Sequence, residues 1–294
     1  MRFLLTADWH LRPDRPRCRL DTDWLDTQRQ AIRFIVDLTR ERDLALVVLG
    51  DVFNVPQAGS AVEVMAMQEL KRAPRVCLVA GNHDLRFHNY DNVDQSSFGV
   101  LRQYFPEMEN TLGMVTVDSA PFGRDKPTGA KYAFTHQLVF PDRKSMPFGC
   151  EAKTAEDIGE QFPDAQWIFT GDMHHSFDTK TDDGRQRIVN PGCILRQTAD
   201  LLDYQPKVAI VDTDAGTVEW VPVPDNDAQV VTDAYLRTAE VREERVSAFV
   251  EAVKSKGAVS LSFRDNLDAK LPGKRPRVQE IVTTLLEQAK GTTK

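Results

Sequence analysis

Five short segments of this chain each end on side chains that bind hard or borderline metal ions. Residues 76–80 are an apolar run that leads through Gly81 into Asn82, His83 and Asp84. The first strand-like run ends at Asp8 and continues into Trp9 and His10; residues 44–50 end on Asp51; residues 131–135 end on His136. The fifth run, from residue 166, reaches Gly171, Asp172 and, two positions on, His174. A single Gly-Asp after an apolar run commonly caps the next helix. Five such ends, which draw on four of the six histidines, point instead to shared chemistry. Carboxylate, imidazole and amide oxygen together suit Mn²⁺, Mg²⁺, Fe or Zn²⁺ rather than thiophilic metals. Two such cations, roughly 3.5–4 Å apart, can share a carboxylate and clamp a phosphoryl group for in-line attack.

The elements that would position these residues follow from the apolar pattern. Runs of about five evenly apolar residues are too short for amphipathic helices and suit strands buried on both faces of a parallel sheet. Ligands gather at the carboxyl ends of such strands, so one end of one sheet is expected to carry the whole set. Gly81 permits the sharp turn that presents residues 82–84. A helix is expected over 21–42, with Ala31, Ile32, Ile35 and Val36 as its apolar stripe. A second should open on a capping box of Ser60 and Glu63, with Val62, Met65, Ala66 and Leu70 on the core side. Pro74 closes this β-α-β-α-β unit, which fixes the class as α/β.

The remainder is less regular. Residues 85–110 are polar and loop-rich, with a short helix expected over 98–105 and a strand or hairpin over 111–126. Residues 143–163 form an excursion with a helix over 154–161, a natural wall for a substrate groove. Short strands at 187–189, 207–213 and 217–223, the last two a hairpin, should complete a second sheet in antiparallel fashion. Residues 222–227 read as a linker between a catalytic domain, 1–224, and a small α+β appendage, 228–294. Trp9 and Met65 are assigned to packing, His88 to a loop or groove, and His175 to the face opposite His174.

Composition excludes several classes. No run approaches the eighteen apolar residues of a membrane span, and Met1 leads directly into the first strand, so a cytoplasmic protein with no membrane association is expected. Cys18, Cys77, Cys150 and Cys193 show no paired spacing, which argues against a zinc knuckle or disulfide framework. The net charge of −7 is unevenly spread: residues 254–294 carry nine Lys and Arg against four Asp and Glu, leaving 28 against 40 in the first 253. A basic tail on an acidic, ligand-rich body suits a polyanion guided to a metal centre; a merely solvated charged tail would look the same.

The ordered series Asp8-x-His10, Gly50-Asp51, Gly81-Asn82-His83-Asp84, His136 and Gly171-Asp172-x-His174 resembles the signature of the calcineurin-like metallophosphoesterases. More narrowly, Thr6-Ala-Asp-Trp-His-Leu11, Gly50-Asp-Val-Phe53 and Ala80-Gly-Asn-His-Asp84 resemble the SbcD-type nuclease subunit of DNA double-strand-break repair, in its abbreviated, phage-type form. Asn190-Pro-Gly192 with Arg196-Gln197 is similar to the same branch.

The resemblance implies a two-sheet αββα sandwich with a small C-terminal α+β cap. It further implies a first metal on Asp8, His10, Asp51 and His174, and a second on Asp51, Asn82, His136 and the residue at 172. His83 would stand over the phosphate as cation or general acid, with Asp84 either orienting it or forming the local turn. Asn54 lies where this branch carries a group supporting that histidine. The family usually has histidine where this chain has Asp172, so a harder second site favouring Mn²⁺ or Mg²⁺ over Zn²⁺ is expected, or else a weakened one. The implied activity is a Mn²⁺-dependent DNA nuclease, an exonuclease with endonuclease activity also open to it, acting as a homodimer with an SMC-like coiled-coil ATPase. A phosphatase or small-molecule phosphodiesterase on the same core, and a catalytically weak scaffold for DNA or an ATPase, are the alternatives.

Overall fold

A computed structural model of the chain describes residues 1–225 apart from 107–110, 113–114, 125–126, 128, 148 and 151, and beyond them only Gln279 and Val282, both helical. The chain divides into two compact units, Met1–Asp233 and Ala234–Lys294. The basic tail and the strand and helices expected after residue 228 lie outside the described residues, save those two positions. The four cysteines are free thiols, and among the described residues no helix is long and apolar enough to cross a membrane.

The chain opens with β1 (Arg2–Thr6), α1 (Trp24–Arg42), β2 (Ala45–Leu49), α2 (Ser60–Leu70) and β3 (Arg75–Val79). A short α3 (Ser97–Leu101) follows, then the strand pair β4 (Thr111–Leu112) and β5 (Val115–Thr116). Next come β6 (Asp118–Ala120), β7 (Tyr132–Thr135), a second small pair β8 (Val139–Phe140) and β9 (Lys153–Thr154), α4 (Ala155–Gln161) and β10 (Trp167–Phe169). The last strands are β11 (Phe177–Lys180), β12 (Arg187–Asn190), β13 (Lys207–Asp212) and β14 (Thr217–Pro222).

Two five-stranded sheets result, ordered β14-β13-β1-β2-β3 and β11-β12-β10-β7-β6. Side-chain alternation explains their stacking. Leu4, Leu46, Val48 and Leu78 pack on Ile32, Ile35 and Val36 of α1 and Val62 and Met65 of α2. Phe3, Leu5, Val47 and Leu49, on the opposite face, meet Phe134, Trp167, Phe169 and Val189 of the second sheet. Phe3 stands edge-on to Phe169 with ring centroids 5.2 Å apart, and Phe134 stacks on Phe169 at 4.8 Å. The outer face of the second sheet, through Ala133, Ile168 and Ile188, packs on Ile158 and Phe162 of α4 and its C-terminal turn. The layers are therefore helices, sheet, sheet, helix: an α/β sandwich of αββα order.

Several expectations need correction. The hairpin β13–β14 does not complete the second sheet; β13 lies antiparallel beside β1 and widens the first. Ser60 is no cap, because Gly59 occupies that position without a side-chain bond. Glu63 instead accepts from Ser97 Oγ at 2.6 Å, and Ser97 Oγ accepts from the Ala58 amide, which ties α2 to α3. Helix α1 starts at Trp24, since Asp23 caps it and Asp21 is held by Arg19 and Thr27. The stretch read as a linker is anchored: Asp225, its side chain fully buried, pairs with Arg19 at 2.9 Å and Arg196 at 3.1 Å.

Candidate metal centre

The ligand-type residues converge, but from two sheets rather than one. Asp8 and His10 follow β1, Asp51 follows β2, and Asn82 and His83 follow β3 in the first sheet; His136 follows β7, and Asp172 and His174 follow β10, in the second. The parallel strands β1, β2 and β3 deliver their carboxyl ends side by side, and β7 and β10 do the same opposite them. Asp8, His10, Asp51 and Asp172 all have positive φ (52°, 45°, 50° and 71°). Few L residues adopt this conformation, and asparagine and aspartate tolerate it best. Bonds between the loops hold it in place. The amide of Asp8 donates to Gly50 O, that of His10 to Asp51 O, and that of Asp172 to Asp8 Oδ1 across the two sheets.

Asp51 sits at the middle. Its Oδ1 accepts from the His83 amide at 2.9 Å, while Oδ2 lies 3.6 Å from His10 Nε2 and 3.5 Å from His136 Nε2. To one side, His10 Nε2 and His174 Nε2 face each other at 3.1 Å. To the other, His136 Nε2 lies 3.0 Å from Asn82 Oδ1 and 3.9 Å from Asp172 Oδ1. His136 is fully buried, and its Nδ1 donates to Leu49 O at 2.7 Å, which turns Nε2 toward the centre. Two glycines shape this cradle. A Cβ at Gly50 would stand 2.2 Å from His136 Nδ1, and one at Gly171 would stand 2.7 Å from the same atom. Both glycines make room for the His136 ring.

Three sets place ligand atoms within 4.8 Å of one another: Asp8, His10 and His174; Asp8, Asp51 and His136; and His10, Asp51 and His83. Asp8 Oδ2 and Asp51 Oδ2 are buried and accept no hydrogen bond. Two buried carboxylate oxygens without donors, beside imidazole nitrogens aimed at each other, are what divalent cations would pair. The residues fit such ions. Electrostatics reports the same crowding. Burial raises the Asp8 carboxyl well above its ordinary range, with Asp51 and Asp172 pushing the same way. Burial also acts on Asp51, but His136, His10 and His83 outweigh it and hold that carboxyl below the usual range. Burial pushes His10 down to about 3 and lowers His174. His136 runs the other way, raised well above the usual range because Asp51, Asp8 and Asp172 outweigh its burial.

His83 and Asp84 have different places. The His83 ring stands 4.8 Å from His10, edge-on, and its Nδ1 donates to the Asn54 carbonyl oxygen at 2.8 Å. Position 54 thus supports the histidine through its backbone, which no reading of side-chain types could anticipate. Asp84 does not face the site. It is fully buried and accepts from the amides of Phe53 at 2.9 Å, Gly81 at 3.0 Å and Val52 at 3.3 Å. Burial and the nearby Asp51 raise its carboxyl to about 7. Of the two roles considered for Asp84, the geometry matches the turn former, which pins the β3 loop to the β2 loop.

Other residues hold the loops from behind. Trp9 is buried and donates through Nε1 to Thr6 Oγ1 at 2.9 Å, in keeping with a packing role. Gln197 Nε2 donates to Trp9 O at 2.9 Å, and Asn190 Nδ2 donates to the carbonyls of Met173 and His175. These two lie in the segments 190–192 and 196–197 that were singled out by resemblance, and here they buttress the His10 and His174 loops. His175 is exposed and its ring packs on Tyr204 at 5.1 Å.

Residues 1–216 match the model of the calcineurin-like phosphoesterase superfamily domain. The chain belongs to that superfamily. Its members are metal-dependent phosphoester hydrolases, which agrees with a centre of Asp8, His10, Asp51, His136 and their neighbours. Among solved structures, this superfamily member is similar to a novel archaeal phosphodiesterase (13% identity, TM-score 0.42, 76% of this chain and 99% of that one). It is also similar to a metallophosphoesterase from Sphaerobacter thermophilus (19% identity, TM-score 0.42, 82% of this chain and 95% of that one). A third is a putative 5'-nucleotidase from Staphylococcus aureus in complex with alpha-ketoglutarate (14% identity, TM-score 0.45, 83% of this chain and 58% of that one). No curated protein matches the sequence.

Proposed function

We propose that this phosphoesterase is a DNA nuclease that hydrolyses phosphodiester bonds with two divalent cations, Mn²⁺ foremost. The observation that carries the reading is how the two most nuclease-like segments meet. Leu11 bridges Phe53, the Leu11 amide donates to Val52 O, and the Asn54 amide donates back to Leu11 O. The paired segments end on the Asn54 carbonyl that holds His83. In this reading, the residues that resemble the SbcD-type branch also support the histidine that would act on the phosphate.

Asp8, His10, Asp51 and His174 would hold one cation, and Asp51, Asn82, His136 and Asp172 the other. When bound, the pair supplies Lewis acidity to the phosphoryl group and to the attacking water. His83, tethered at Nδ1, keeps Nε2 for the substrate: protonated there, it offsets charge on the phosphoryl oxygens and donates to the leaving oxygen. Asp84 keeps the His83 loop in register with the Asp51 loop without touching the substrate. In the same reading the chain works as a homodimer beside an SMC-like coiled-coil ATPase that presents DNA ends.

The test is hydrolysis by the purified chain of end-labelled linear duplex DNA beside bis(p-nitrophenyl) phosphate, with Mn²⁺ and with EDTA, and with His83→Ala as the comparison. DNA cleavage that needs Mn²⁺ and falls by at least about a hundredfold in His83→Ala supports the nuclease reading. Turnover of the small diester alone, with DNA intact even when the ATPase is present, would replace it by a small-molecule phosphodiesterase. Inertness toward both would favour the scaffold.

A further inference from the structure

Immediately outside His83 the chain makes a 3-10 turn, Arg86–His88, that the centre described above does not use. Phe87 and His88 both adopt left-handed backbone, with φ of 57° and 50°, a conformation rare for bulky L residues. Packing does not account for it, since Phe87 is 77% exposed. Arg86 lays its guanidinium 5.0 Å from the Phe87 ring, and the turn is braced by Asn92 Nδ2 on Arg86 O. The imidazoles form a file leading outward: the His10 and His83 rings are 4.8 Å apart, the His83 and His88 rings 6.4 Å, and the His88 and Phe122 rings 6.4 Å.

We propose that the Arg86–His88 turn is a subsite for the nucleotide next to the scissile bond, with His88 donating to the neighbouring phosphate and Phe87 offering its face to the adjoining base. This rests on the nuclease reading and adds to it a requirement for a substrate with at least two linked phosphates. The separation of His83 from His88 is comparable to one nucleotide step along a strand, so one imidazole serves the reacting phosphate and the other its neighbour. Phosphate contacts of this kind set register, while an exposed aromatic face accepts any base. A cation over that aromatic ring adds affinity for a polyanion without selecting sequence. An exposed aromatic and an imidazole held in strained backbone beside the centre are what a single-stranded end would meet.

The experiment compares kcat/KM in Mn²⁺ for thymidine oligonucleotides with one phosphodiester and with two, and for the longer one with an abasic residue at each position in turn. In parallel, anisotropy with Ca²⁺ measures binding of a fluorescent four-residue oligothymidylate. The wild type should favour the second phosphate and lose about fivefold or more at one abasic position, the low end of what one base stack contributes. His88→Ala should erase the gain from the second phosphate, Phe87→Ala should erase the abasic penalty, and Phe87→Trp should restore it. Ratios within one variant are insensitive to the amount of folded protein. Equal ratios in wild type and both variants would overturn the subsite and leave the nuclease standing. If no oligonucleotide is cut, the duplex-DNA assay described above decides the nuclease reading by itself; weaker oligothymidylate binding in both variants would then support the subsite, and unchanged binding would overturn it.

Discussion

On one side of Asp51, two imidazoles face each other Nε2 to Nε2 at 3.1 Å, and burial pushes both His10 and His174 toward the neutral form. On the other, a single imidazole, His136, sits among Asp51, Asp8, Asn82 and Asp172, and the carboxylates pull it toward the charged form. With ions bound, the two halves would suit different metals. Neutral nitrogens donate to borderline metals without expelling protons, whereas oxygens around one histidine favour harder ions and leave more to be displaced when the ion arrives. Exposure differs as well: the His10 side chain is 9% exposed and that of Asp172 25%. The oxygen-rich half should exchange its ion more readily.

Asp51→Asn attacks what the two halves share and should have the largest effect. Metal content measured by mass spectrometry should fall below one ion per chain, and phosphodiester hydrolysis should drop by about a thousandfold or more. Asp172→His should make the halves alike. Competition titration should show Zn²⁺ gaining on Mn²⁺ at the weaker site by about ten- to a hundredfold, and an unchanged preference would remove Asp172 as the source of the asymmetry. Gly50→Ala pushes on His136 alone and adds strain at a φ of 78°. It should lower stability by about 1–3 kcal/mol in denaturant titration and loosen only the oxygen-rich half. Trp9→Phe probes the other half most gently: loss of the Nε1 bond to Thr6 should lower stability by about 1 kcal/mol, seen as a small fall in Tm, with metal content unchanged.

Much of the ligand set was legible because parallel strands place their carboxyl ends together whatever the sheet count, so Asp8, Asp51, Asn82, His136 and Asp172 could be read from strand ends alone. Which sheet each strand joins was not, since that depends on side-chain faces meeting over long separations, as Phe3 meets Phe134. The anchoring of Asp225 escaped for the same reason: Arg19 is 206 residues away, and a Pro-rich polar run has a linker's composition whether or not a distant guanidinium claims it. Capping failed at Ser60 because Glu63 had a tertiary partner in Ser97 that local pattern cannot see. His83 lay plain in the sequence, yet its support is a carbonyl, and every residue has one.

The bond from the Asp172 amide to Asp8 Oδ1 joins positions 164 apart and belongs to different sheets. It also helps hold two left-handed aspartates that would relax if released. The centre should therefore complete only after both sheets have closed. Amide exchange at Asp172 and Asp8 should then open together, as one event, and metal added to a chain whose sheets have not yet closed should find no site to nucleate.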